Sequence, residues 1–160
     1  MLLAGACSPR NEGAPEALVD EALQANARQQ AAADQAPRAE STLTLETEAG
    51  LYSATTGENL PLPGDFPGDV LLPEDVRITS STRLGPTMSL GAHSPRSLAL
   101  VFDEFRQAQR AAGWTEAAVQ DDATVRVASF DKADRHLEAN FVEEAGGGTT
   151  LAVTVGPAPD

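Results

Sequence analysis

An α+β fold, an antiparallel sheet with one main helix packed across it, is predicted by three observations. Residues 94–113 carry one strong helical periodicity with start and stop signals at its ends. Apolar and polar residues alternate in short runs on both sides of it. The connections after the helix are too short for the crossovers that parallel strands need, so the strands pair as hairpins in one layer beneath the helix.

The elements follow from Ser41 onward. Leu43, Leu45 and Thr47 share one face of a strand, Glu48-Ala49-Gly50 makes a turn, and Leu51 to Thr55 return as the second strand of a hairpin. The hairpin is expected either to extend the main sheet or to cap it. ENLPLPGDFPGDVLLPEDVRI then crowds Pro61, Pro63, Pro67 and Pro73 around Phe66, Val70, Leu71 and Leu72. Proline fixes φ and removes ladder donors, so this segment reads as an ordered crossing that its apolar residues pin to the domain.

Val76 to Leu84 and Thr87 to Ala92 read as two strands joined at Gly85-Pro86. In the helix, Ser94 is the expected N-cap, Pro95 the first helical residue and Gly113 the stop. Leu98, Val101, Phe102, Phe105, Ala108 and Ala112 recur at spacings of three and four and form its apolar face. Alternation then returns in TEAAVQ, TVRVASF, RHLEANFV and GGGTTLAVTV, with turns at DKAD and EAGGG. Val125 and Val127, then Leu137, Ala139 and Phe141, then Leu151, Val153 and Val155 are the expected inward faces. Trp114, directly after the helix stop, reads as a core plug. The α+β domain is placed at 41–156.

Residues 8–40 are rich in Ala, Gln and acidic groups, lack aromatic residues and cannot build a core. They read as a linker, either a helix from Pro15 to about Ala36 that reaches about 30 Å or a disordered tether. Leu18, Val19, Ala22 and Leu23 make a short stripe that a docking helix would also use. Ahead of them stands LLAGACSPR, with the only cysteine of the chain, Cys7.

Leu2-Leu3-Ala4-Gly5-Ala6 followed by Cys7 and Ser8 resembles the cleavage region of a bacterial lipoprotein signal. That resemblance implies lipidation of Cys7, and Ser8 in place of Asp implies sorting to the periplasmic face of the outer membrane. A full signal has a basic start and an apolar stretch of about 7 to 15 residues, whereas six residues without Lys or Arg precede Cys7. Residues 1–7 therefore read as a truncated signal remnant, with translation starting upstream. A lone cysteine in small apolar company also reads as a buried hydrophobe. With Met1 as the true start, the chain is a cytosolic acidic interaction module.

LPLPGDFPGDVLLPEDVRITSS, a strand pair, and SLALVFDEFRQAQRAAGW resemble the C-terminal domain of a group of uncharacterised bacterial envelope lipoproteins, over roughly residues 41–156. In that group an L-P-x-x-F-P-x-D-V segment precedes the sheet and the helix ends in A-G-W. The element order is also similar to the helix-grip domains of accessory lipoproteins of the outer-membrane β-barrel assembly machine. These likenesses imply a fold and an envelope address and assign no activity.

A formal charge of −13 in 160 residues disfavours nucleic-acid partners, which are held by clustered Lys and Arg, and electrostatic attachment to anionic lipid. One cysteine excludes a disulfide framework and a multi-thiolate zinc site. No G-x-S-x-G elbow surrounds a serine, and His93 is expected in a loop ahead of the helix. His136, Glu138 and Asn140 share one strand face beside Asp131 and Asp134. Imidazole and carboxylates at that spacing suit a divalent metal, or they are simply the solvated face opposite Leu137, Ala139 and Phe141.

Asp121-Asp122 and Glu143-Glu144 lack the oxygen ladder of a calcium loop, and Gly146 to Gly148 lack the Lys and Ser/Thr of a P-loop. No cofactor and no catalytic residue is assigned. The expected protein is a membrane-anchored envelope lipoprotein with a non-catalytic binding or structural domain and an envelope partner. The alternative is a small metal- or ligand-binding protein or weak hydrolase built on the His136/Glu138 face.

Overall fold

Short alternating runs separated by turn residues zip into neighbours, and here they form a single layer. The structure, a computed structural model, describes residues 40–159; Cys7 and the linker lie outside the described residues. The strands are β1 (Ser41–Thr47), β2 (Gly50–Leu60), β3 (Arg77–Leu84) and β4 (Thr87–Ser94), then helix α1 (Leu98–Ala111), then β5 (Thr115–Asp121), β6 (Val125–Lys132), β7 (Arg135–Glu143) and β8 (Thr149–Pro157). They make one eight-stranded sheet in the order β1-β2-β3-β4-β8-β7-β6-β5, and every pair is antiparallel. The leading hairpin extends the sheet.

The α+β architecture is thus the expected one, with α1 crossing from β4 to the far edge and β5 to β8 returning as a meander. The helix starts later than Ser94 and Pro95 suggested. Ser94 is the buried last residue of β4, its Oγ accepts the Arg96 amide at 3.2 Å, and the N-cap is Ser97. The sheet takes Ser94 because its neighbour Thr149 completes the ladder, and a strand bond wins over a cap three residues earlier.

Leu98, Val101, Phe102 and Phe105 face the sheet. Phe102 and Phe105 each meet Phe141 edge-on, with centroids 5.3 Å apart, and Phe105 meets Phe130 at 6.0 Å. Such pairs add to the burial of the rings themselves. Leu137, Ala139 and Phe141 of β7 and Leu151, Val153 and Val155 of β8 point inward as expected.

On β6 the expected parity is reversed. Ala128 and Phe130 are buried while Val125 is exposed and Val127 half-buried. Strand side chains alternate, so choosing the wrong parity moves every residue to the other face. Arg126 takes the inward position by laying its guanidinium 5.4 Å from the Phe102 centroid and pairing with Asp121 at 2.7 Å. A charged group at the rim of the core broke the apolar pattern that Val125 and Val127 imitate.

α1 ends in a Schellman motif: Gly113, at φ +85°, donates to the Arg110 carbonyl (3.1 Å), and Trp114 N donates to the Gln109 carbonyl (3.0 Å). The motif sets Gln109 and Trp114 side by side, and both reach the proline-rich crossing. The fully buried Gln109 accepts the Leu71 amide at 3.3 Å and donates to the Leu71 carbonyl at 2.6 Å. The indole Nε1 of Trp114 donates to the Asp69 carbonyl at 2.8 Å. Phe66 and Val70, each closing a turn onto the proline three residues back, enter the core beneath.

Replacing Gln109 by Leu keeps the volume and deletes both bonds to Leu71. Urea unfolding is expected to show a loss of about 1–3 kcal/mol, well above the effect of Gln107→Leu on the exposed side of the same helix.

Candidate functional site

The crossing leaves a cleft where it meets the sheet. Asp65 and Pro67 form one wall, Arg83 and Pro86 of the β3–β4 hairpin a second, and Asp134, Arg135 and Pro157 at the ends of β7 and β8 a third. Met88 and Val155, both core residues, make the floor. The cavity holds about 340 Å³, the lower end of the range for small-molecule sites.

Two guanidinium groups stand at this cleft in different states. Arg135 donates two bonds to Asp69 (3.0 and 2.6 Å), lies 4.9 Å from the Trp114 ring centroid, and shares Asp69 with Lys132, whose Nζ is 2.8 Å from the carboxylate. The Arg135 bonds, with those from Lys132, hold the Asp69 carboxyl well below the usual carboxylate range despite partial burial. This guanidinium is committed to the fold. Arg83 instead donates to Asp65, to the Gly85 carbonyl at 3.5 Å and to the Met88 sulfur at 3.0 Å. The Asp65 side chain is 63% exposed, and ion pairs of that kind contribute about 0–1 kcal/mol. A competing carboxylate can replace it at little cost.

The residues singled out from the sequence do not converge. His136 Nδ1 pairs with Asp131 Oδ1 at 2.7 Å. Glu138 accepts from Asn140 at 3.1 Å, and Asp134 lines the cleft on the other side of the hairpin turn. Among the described residues no group of three or more His, Cys, Asp or Glu side chains is placed to hold a metal ion.

His93 lies on β4, not in the loop the sequence suggested, and its Nδ1 is 2.9 Å from Glu144 Oε1. Glu144 also accepts the Thr150 hydroxyl, and Thr150 and His93 together lower its pKa. Each imidazole is thus tied to one carboxylate on the face of the sheet away from α1. Arg83, Asp65 and Arg135 were not picked out by sequence reasoning. The two arginines carry only the signal that basic residues are scarce in so acidic a chain, and Asp65, one of 24 acidic residues, carries none.

Comparison with known proteins finds no matching protein family, no curated relative and no solved structure.

A depressed carboxyl stabilises the fold above its unfolded pKa of about 3.9 and gives that stability up as pH falls through the lower folded value. Asp69→Asn is expected to cost about 1–2 kcal/mol at neutral pH, discounted for its partial exposure. Its stability should also fall less steeply than that of the parent below about pH 4. Urea melts at stepped pH measure both effects.

Proposed function

We propose that the chain is a lipid-anchored envelope protein whose α+β domain is a non-catalytic binding module. The anchoring half rests on LLAGACS around Cys7: a diacylglycerol and an amide-linked chain on that cysteine satisfy the need for more than one acyl group in stable attachment. The Ala- and Gln-rich residues 8–40 supply the spacer.

The binding half is carried by one observation, the Arg83–Asp65 pair over the Met88 and Val155 floor. Asp65 occupies the place that the carboxylate of a ligand would take, and the floor beneath accepts an apolar chain. The favoured ligand is a carboxylate with a short apolar body, such as the end of a partner polypeptide. Neither histidine contacts this cleft, and the chemistry assigned to it is recognition, with the envelope partner as the natural source of the ligand.

Expression from the native locus with its upstream DNA is expected to give a chain that begins at Cys7, carries acyl mass and fractionates with membranes, all three lost in Cys7→Ala. For the cleft, hexanoate should shift the NMR signals of the Met88 methyl and Arg83 side chain, with hexanamide inert and Arg83→Gln unresponsive. An unmodified soluble chain, or equal response to hexanoate and hexanamide, defeats the corresponding half.

A further inference from the structure

The two outermost strands of the sheet, β1 and β5, are built differently. β5 carries a bulge between Glu116 and Ala118, a device that blunts an edge against pairing. β1 carries neither proline, lysine nor bulge, and Glu46 is its one charged residue. Its seven residues, STLTLET, pair with β2 in one unbroken register and are all exposed. Leu43 and Leu45 are 52% and 50% exposed. Leu45 stands opposite Tyr52, and Tyr52 opposite Leu84, which is 39% exposed, so a leucine-rich ridge runs to the edge on the face away from α1.

This strand is self-complementary. Turned antiparallel to itself about Thr44, it sets Leu43 against the second copy's Leu45, Thr42 against Glu46 and Ser41 against Thr47. Within these seven residues no carboxylate faces a carboxylate, and the like charges that such pairing must avoid meet only beyond its ends, where Glu40 falls opposite Glu48. We propose that β1 is a dimerisation edge that joins two copies of this chain, strand to strand, into one continuous sheet. The contact is isologous and closes at two copies, because the outer edges of the assembly are then the guarded β5 strands. A seven-residue edge buries less than the roughly 1,200 Å² of a standard interface, so the dimer is weak. The acidity of the chain opposes it until salt screens the repulsion.

Sedimentation of the full chain with Cys7→Ser, which removes adventitious thiol pairing, is expected to show a monomer–dimer equilibrium between micromolar and millimolar protein that tightens with salt. Leu43→Lys with Leu45→Lys should weaken it by about tenfold or more. In the same Cys7→Ser background, Thr44→Cys places a thiol on the two-fold axis. Cα atoms opposed in antiparallel strands are about 4.5–5.5 Å apart, within the span of a disulfide, so this variant should oxidise to a covalent dimer faster than Ser89→Cys in mid-sheet. Monomer at every concentration, a dimer indifferent to the lysines, or equal oxidation of the two cysteine variants overturns the proposal. A monomer whose outer β1 amides resist exchange would overturn it in favour of a segment of residues 1–39 covering the edge.

Discussion

One buried carboxamide holds the two halves of the inner layer together. A single fourteen-residue helix cannot cover eight strands, and the area it leaves bare must be covered by the irregular chain between β2 and β3. Irregular backbone brings amides that a sheet would have paired, and buried ones must find partners. Gln109 answers both strand-like groups of Leu71 from the helix, Trp114 takes the Asp69 carbonyl, and Glu104 accepts the Glu74 amide at 2.7 Å. The crossing becomes part of the core layer, and the cleft lies where its first turn, at Asp65, stands away from these ties.

The same economy governs charge. Arg83, Arg96, Arg106, Arg110, Arg126, Lys132 and Arg135 are each paired with a carboxylate. Arg106 rests on Phe102 and donates two bonds to Glu116 (2.8 and 2.7 Å), and those bonds lower the Glu116 pKa. Arg96 ties Glu104 and the Glu74 carbonyl, joining the helix start to the end of the crossing. Scarce cations are used internally as ties. The surface left over is acidic, and Arg83 with Asp65, whose carboxylate is largely exposed, is a pair placed at the cleft.

The α+β class, the hairpins and the apolar stripe of α1 were legible because period and turn residues are local signals. The β6 face was not, because Val125 and Val127 imitate an inward pair, while the truly inward Arg126 is tolerated only through Phe102 and Asp121, partners distant in sequence. Ser94 looked like a cap because capping chemistry and a buried strand end use the same hydroxyl. Gln109 sits on the helix stripe four residues after Phe105, a polar residue in an apolar place, and that was a readable sign of a buried partner. The partner itself, the Leu71 backbone, carries no side-chain signature. Arg83 and Asp65 meet only through the tertiary path of the crossing, so no spacing rule joins them.

Native-state hydrogen exchange at two protons tests most directly whether the crossing is locked to α1. The Leu71 amide and the Trp114 indole Nε1–H are bonded across that junction, and both should exchange only through the opening that also releases the amides of α1, with matching free energies. Exchange of the Leu71 amide orders of magnitude faster than the helix, with the indole following it, would mean that the crossing opens on its own and that Gln109 does not hold it.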